Sequence, residues 1–185
     1  MSPGAFDVGV ADGHPFVGYG DGPPLVVVPG VNDPLLRARE APWFDLVLAA
    51  YCRRQARACA AAGVPRTVYY LSRPPNVPDT VAGMAAGYTD ALDAVGACDL
   101  LGISMGGFVA LELARRDDRV RSVSLGLAAG RLSRHGRQSL ETWDRWAASG
   151  EWRRVYRAGV RAVVTGWRRQ VGRLAVAGFD AVRTP

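Results

Sequence analysis

The chain has 185 residues, 49% of them hydrophobic, which is enough to bury the core of one domain or of one domain with a small additional unit. Its net charge of +6 does not predict a nucleic-acid-binding protein, because the excess arginine lies in residues 131–185, where arginines at helical spacing usually form a solvated face. The sequence has no run of about eighteen apolar residues and no basic-then-apolar N-terminal segment, so neither a membrane-spanning nor a secreted protein is predicted.

Three strands are predicted in the N-terminal part of the chain. Residues 6–10 and 15–19 are typical of short strands joined as a hairpin, and His14 in the connection is expected to be a surface turn residue at a sheet edge. Residues 25–28 form a continuous apolar run, as in a strand buried on both faces. This run leads directly into a loop, Pro29-Gly30-Val31-Asn32-Asp33-Pro34, whose backbone amides we expect to be free.

Helices and strands alternate through the next part of the chain. The predicted helices are 42–62, 77–96 and 108–115, and the predicted strands are 67–71, 97–101 and 120–125. This alternation predicts an α/β fold with a mostly parallel, doubly wound sheet of six strands and helices on both faces.

A glycine-rich turn connects the predicted strand 97–101 to the helix that follows it. Its sequence is Gly102-Ile103-Ser104-Met105-Gly106-Gly107, which we interpret as a nucleophile elbow with Ser104 at its tip. Such a turn exposes the serine hydroxyl above the sheet, and it needs Gly102 and Gly106 because a Cβ would be crowded there. Gly107 would let the helix pack closely. An ordinary strand-glycine-helix connection of another α/β sheet is the alternative interpretation.

Acyl transfer from a serine requires two N–H groups that stabilise the negative oxygen of the tetrahedral intermediate. In an elbow, one comes from the residue after the nucleophile, here Met105, and the other from an earlier loop after a strand. The loop at Pro29 and Gly30 follows such a strand, so Val31 is the predicted second donor of this oxyanion hole. A plain Pro-Gly turn is the alternative interpretation of that loop.

The pattern DGPPLVVVPG…GISMGG, within residues 6–127, resembles the α/β-hydrolase superfamily, in particular its esterase-like and lactonase-like members of the AB hydrolase-1 type. These proteins usually carry His-Gly where this chain has Pro29-Gly30. The resemblance implies hydrolysis of a carboxylic ester, a lactone or a related acyl bond in a small-molecule substrate, with Ser104 as nucleophile. It implies no cofactor, and the residues show neither a metal-ligand cluster nor a phosphate-binding loop.

After residue 130 the predicted structure is helical. Tryptophans recur between residues 143 and 167, and two or three amphipathic helices broken near Gly150 and Gly166 are predicted. The resemblance implies that residues 131–177 form a cap over the core at 1–130, followed by a tail at 178–185; simple packing of the tryptophans on the sheet is the alternative. For the arginines, a basic patch that binds an acidic surface is the alternative to a solvated face.

A serine nucleophile needs a base, normally a histidine oriented by a carboxylate. The resemblance implies an acid and a histidine on later strands, and no residue here matches either of them. His135 is therefore considered as a surrogate base, while Asp144 and Asp180 are interpreted as solvated carboxylates. We expect the chain to be truncated at its C-terminus, with the late strands missing. The alternative function is a catalytically incomplete hydrolase-fold remnant that binds without turnover.

Two further expectations follow from the residues. The strand at 120–125 would be left as an apolar sheet edge, which predicts self-association. The three cysteines, Cys52, Cys59 and Cys98, are odd in number and are interpreted as structural thiols in a reducing compartment, so a cytoplasmic protein is expected.

Overall fold

The computed structural model describes residues 6–31, 33 and 43–163. The chain divides into two units, Met1–Gly130 and Arg131–Pro185. In the described part of the first unit, the strands are β1 (Phe6–Ala11), β2 (His14–Gly20), β3 (Pro24–Val28), β4 (Thr67–Leu71), β5 (Cys98–Ile103) and β6 (Val120–Gly126). Its helices are α1 (Trp43–Ala61), α2 (Val81–Ala91) and α3 (Met105–Ala114).

The six strands form one mixed sheet in the order β1-β2-β4-β3-β5-β6. The hairpin β1-β2 and the pair β2-β4 are antiparallel, whereas β3-β4, β3-β5 and β5-β6 are parallel. The prediction of a mostly parallel sheet is confirmed. The carboxyl ends of β3, β4, β5 and β6 therefore lie along one edge, called the carboxyl edge below.

Helices cover both faces of the sheet, as predicted. Successive strand residues point to opposite faces, so Val26 and Val28 of β3 belong to one apolar cluster and Val27 belongs to the other. Helices α2 and α3 pack on the first cluster, and α1 packs on the second through Leu48, Cys52 and Ala56. The two helix layers therefore cover β3 on both faces.

Helix α2 is shorter than the predicted 77–96. It begins after Thr80, whose side-chain oxygen accepts a hydrogen bond from the Gly83 N–H at 3.0 Å. Pro78, two residues earlier, disfavours helical backbone at the residue before it. The helix ends near Leu92, and Gly96 has a φ of 77°, which ends the following turn. The periodic pattern of apolar residues continues beyond both ends of α2. A prediction from this pattern therefore makes the helix too long at each end.

The prediction that His14 is a surface turn residue is wrong. Asp12 and Gly13 form the hairpin turn with φ values of 44° and 76°, and His14 is the first residue of β2. Its side chain is 2% exposed, its Nδ1–H donates to the Ser72 carbonyl oxygen at 2.8 Å, and its ring centroid lies 4.6 Å from that of Tyr88. Burial lowers the pKa of His14, since it disfavours the charged imidazolium.

The second unit is helical where it is described, with α4 (Arg134–Ala148) and α5 (Trp152–Val163). Ser133 caps α4 by accepting a hydrogen bond from the Gly136 N–H at 3.0 Å. The two helices are separated at Gly150, whose φ is 74°. The predicted break at Gly166, the end of the cap at residue 177 and the tail at 178–185 lie outside the described residues. None of the described helices is long and apolar enough to cross a membrane.

Candidate active site

Ser104 lies at the carboxyl edge, between the last residue of β5 and the first residue of α3. Its backbone has a φ of 53° and a ψ of −120°, a conformation that costs free energy for any residue with a Cβ. The turn is held by two backbone hydrogen bonds, from the Ser104 N–H to the Gly126 carbonyl at 2.8 Å and from the Gly107 N–H to the Ser104 carbonyl at 2.9 Å. The side chain is exposed, so its hydroxyl is open to a ligand.

Three glycines allow this turn to form because backbone segments meet there without room for a side chain. A Cβ built on Gly102 would lie 2.5 Å from the Gly107 Cα. A Cβ on Gly106 would lie 2.2 Å from the Val28 carbonyl oxygen, and one on Gly107 would lie 2.4 Å from the Ala128 Cβ. The start of α3 is therefore in direct contact with the end of β3.

The loop after β3 passes beside Ser104. A Cβ built on Gly30 would lie 3.1 Å from the Ser104 Cβ and 3.6 Å from its Oγ. Val31 is 69% exposed and follows in this loop. Met105 is the first residue of α3, where the N–H groups of a helix have no intrahelical acceptor and the helix dipole favours negative charge. The structure thus brings Ser104, Met105 and the Gly30–Val31 segment together.

A buried polar cluster, formed by Asp33, Ser72 and Arg73, lies behind this loop and is absent from the sequence-based prediction. Asp33 Oδ2 accepts hydrogen bonds from Ser72 Oγ at 2.7 Å and from the Arg73 N–H at 2.9 Å. Arg73 Nη2 donates to the carbonyl oxygens of Gly30 and Val31, both at 2.8 Å. All three side chains of the cluster are at most 7% exposed.

One signal in the sequence could have pointed to this cluster. Ser72 and Arg73 directly follow β4, and polar residues at the carboxyl end of a strand often face the loops of the neighbouring strands. The partners of Arg73 could not be found in this way, because they depend on the pairing of β4 with β3.

The candidate base lies in the other unit. His135 is in the first turn of α4, and its side chain is exposed, as is that of Asp144. Asp180 lies outside the described residues. Among residues 6–31, 33 and 43–163, no group of three or more His, Cys, Asp and Glu side chains is placed to hold a metal ion.

A solved structure of low sequence identity shares this architecture. BotH, a bottromycin epimerase determined in complex with bottromycin A2, is 17% identical with a TM-score of 0.52, and the match covers 95% of this chain and 71% of that protein. The chain has an α/β-hydrolase fold.

Two other solved structures match over less of their own length. An AqdC variant in complex with its substrate, the Pseudomonas quinolone signal, is 20% identical with a TM-score of 0.48, and the match covers 84% of this chain and 59% of that protein. The esterase EaEST from Exiguobacterium antarcticum is 15% identical with a TM-score of 0.47, covering 83% of this chain and 61% of the esterase. The chain spans less than two thirds of either protein. No protein-family model and no curated protein matches the sequence.

In this α/β-hydrolase fold, the position of the site follows from the strand order. After β3 the chain crosses to β4 on one side, and β5 then pairs with β3 on the other side. The chain segments that leave β3 and β5 lead to helices on opposite faces of the sheet, and ligands bind at such a switch point in open α/β sheets. The Gly30 loop and Ser104 lie at this switch point.

Proposed function

We propose that this chain is a serine hydrolase-type protein that acts on a carboxylic ester, a lactone or a related acyl bond. Ser104 would be the nucleophile, and the N–H groups of Met105 and Val31 would bind the oxyanion. The fold alone does not select this reaction, because folds host many unrelated functions and BotH is an epimerase. The observation that carries the proposal is an exposed serine with a φ of 53° beside the Gly30 loop.

The proposed reaction has two covalent steps. Ser104 Oγ forms a bond to the carbonyl carbon while its proton passes to a base, and the carbonyl oxygen becomes an oxyanion held by the two N–H groups. The intermediate then expels the alcohol, or the ring oxygen of a lactone, which takes up the proton. Water attacks the acyl-enzyme in the second step, which releases the carboxylic acid and restores the serine.

Strain at Ser104 supports this role. A serine at positive φ costs free energy of folding, which is typical of residues whose placement serves chemistry rather than stability. The α3 dipole adds a partial positive charge at Met105, where the oxyanion would form.

A second candidate function is a hydrolase-fold protein that binds an acyl compound without turnover. One observation favours it: of the two histidines in the sequence, His14 is buried and donates its Nδ1–H to the Ser72 carbonyl, so it is committed to the core.

Labelling with a fluorophosphonate tests the proposal. The native chain should be labelled stoichiometrically, with the adduct on the peptide that contains Ser104, and Ser104→Ala should abolish labelling. Ser124→Ala is the matched control, since Ser124 is an exposed serine on the adjacent strand β6 and its loss should have no effect. The absence of any adduct on the folded chain would exclude the nucleophile.

Hydrolysis of p-nitrophenyl acetate separates the two candidate functions. Steady turnover that is lost in Ser104→Ala supports the hydrolase. The absence of turnover in the folded chain supports a protein that binds an acyl compound without hydrolysing it.

A further inference from the structure

We propose that Arg73 is a positioning residue for the oxyanion hole, holding the peptide group between Gly30 and Val31 in the orientation that makes the Val31 N–H a donor. This inference rests on the proposed function, in which that N–H binds the oxyanion. It assigns a role to a buried arginine that does not touch Ser104 in any of its hydrogen bonds.

The geometry of the peptide group carries the first step. In a planar trans peptide, the carbonyl of one residue and the N–H of the next point in opposite directions. The Gly30 carbonyl accepts a hydrogen bond from Arg73 Nη2 at 2.8 Å, so it points towards the buried guanidinium. The Val31 N–H consequently points away from Arg73. Arg73 Nη2 also donates a hydrogen bond to the Val31 carbonyl oxygen at 2.8 Å. This bond restrains the peptide group that follows Val31.

The chemistry of arginine carries the second step. A guanidinium has five N–H donors and no acceptor. If the Gly30–Val31 peptide group rotated by half a turn, its N–H would face these donors, and the contact with the Gly30 carbonyl would be replaced by repulsion. Arg73 therefore favours one orientation of the peptide group and penalises the reverse one. A glycine at position 30 would otherwise allow both orientations, because it lacks the steric restriction of a side chain.

The guanidinium is itself fixed. Asp33 is 6% exposed, and its Oδ2 lies 3.6 Å from Arg73 Nε and accepts hydrogen bonds from Ser72 Oγ and the Arg73 N–H. A buried cation without an opposite charge would be costly, so Asp33 makes the position of Arg73 stable. The cluster thus transmits the rigidity of β4 to the loop beside Ser104.

Two substitutions test the role. Arg73→Met keeps the aliphatic stem and removes all donors, so the peptide group loses its preferred orientation. The rate of fluorophosphonate labelling and kcat for p-nitrophenyl acetate should fall about 100-fold, the effect of losing one oxyanion donor, while KM stays near its native value. Arg73→Lys keeps a charged donor without the planar geometry and should recover part of the rate.

Arg119→Met is the matched control. Arg119 also donates to a backbone carbonyl, that of Thr89 at 2.8 Å, and pairs with the buried Asp117. It precedes β6, at the end of the sheet opposite the carboxyl edge. The Arg119 side chain is half-buried, and its loss should lower the unfolding temperature without changing the labelling rate. An effect that comes only from lost stability can therefore be recognised.

Backbone torsion angles provide a readout that does not depend on catalysis. The Gly30 and Val31 Cα chemical shifts and the Val31 HN–Hα coupling should change in Arg73→Met and stay native in Arg119→Met. If the native chain takes up no label, the proposed function fails, and the torsions alone decide the role of Arg73. The inference is overturned if a folded Arg73→Met chain keeps native torsions, or if it is labelled at the native rate. If Arg73→Met does not fold, Arg73→Lys is judged by the same two criteria.

Discussion

At the scale of single residues, the backbone strain at Ser104 and the burial of His14 each affect the stability of the chain. Ser104 has a φ of 53°, and His14 is a titratable side chain with 2% exposure. Each gives a stability effect with a definite sign.

Replacement of Ser104 by glycine should stabilise the chain. Glycine adopts positive φ without the steric cost that alanine and serine bear, so Ser104→Gly is expected to be about 1 kcal/mol more stable than Ser104→Ala. The free energy of unfolding in urea measures the difference. At Ser124, in the regular backbone of β6, the order should reverse, with glycine less stable than alanine. The same order at both positions would show that the elbow is unstrained.

The buried His14 predicts that stability falls in mild acid. Burial lowers the pKa of His14 below 6.5, so the unfolded chain binds the proton more tightly than the folded chain. The contribution of neutral His14 to the free energy of unfolding is therefore fully present above about pH 6.5. It declines as the pH falls from there towards the folded-state pKa, with a slope of at most about 1.4 kcal/mol per pH unit.

Urea unfolding at about pH 7.5 and about pH 5.5 measures this effect. His14→Gln should reduce the difference between the two values. A native-like pH dependence in His14→Gln would assign the effect to other groups.

At the scale of elements, the contact between α3 and β3 depends on Gly106. A methyl group there would lie 2.2 Å from the Val28 carbonyl oxygen and 2.5 Å from that of Pro29. Gly106→Ala must push α3 away from β3, and we expect a loss of about 3 kcal/mol, measured by urea unfolding. Gly126→Ala is the control, because its Cβ would meet neighbours at 3.8 Å or more, an ordinary contact distance. Equal losses of unfolding free energy in both variants would contradict the claim that the contact between α3 and β3 depends on Gly106.

β3 could be predicted from the sequence because it is a continuous apolar run. It is buried on both faces, and this requires the hydrophobic pattern that residues 25–28 show. Helix ends were predicted less well, since the apolar period around α2 extends beyond Thr80 and Leu92, where local capping and turns end the helix. The fold class depends on the pattern, whereas the boundaries depend on local hydrogen bonds.

Only half of the site could be predicted. The glycines around Ser104 form a local motif, so their spacing is visible in the sequence. Arg73 and Asp33 interact across 40 residues through the pairing of β4 with β3, and no local pattern encodes such a contact. His14 was misplaced because a histidine next to Asp12-Gly13 resembles a turn residue, although β2 is covered by β1 and β4.

At the scale of the whole molecule, β6 determines how copies of the chain are expected to meet. Among the described residues, β6 pairs with β5 only, and Leu125 and Leu127 beside its free edge are 38% and 71% exposed. Unpaired backbone groups on an apolar edge are a template for strand pairing. We expect a concentration-dependent dimer or larger assembly, detected by size-exclusion chromatography with light scattering.

Single charges can show which edge is used. Ser124→Lys places a charge on β6 and should shift the equilibrium to the monomer. Val8→Lys places a charge on β1, the opposite edge strand, where Val8 is 60% exposed. This substitution should leave the equilibrium between monomer and assembly unchanged. Dissociation by Val8→Lys alone would place the contact between copies on β1. A native chain that stays monomeric at all concentrations would exclude self-association through β6.

The hydrogen bonds from Arg73 to the Gly30 loop connect residues 42 and 43 positions apart along the chain. Contacts of this separation form slowly during folding, since a long segment must be ordered before they contribute. The oxyanion donor would thus acquire its direction only when β3 and β4 have already aligned. Reactivity towards a fluorophosphonate should then appear with the last kinetic phase of refolding, so that labelling reports when the native state forms.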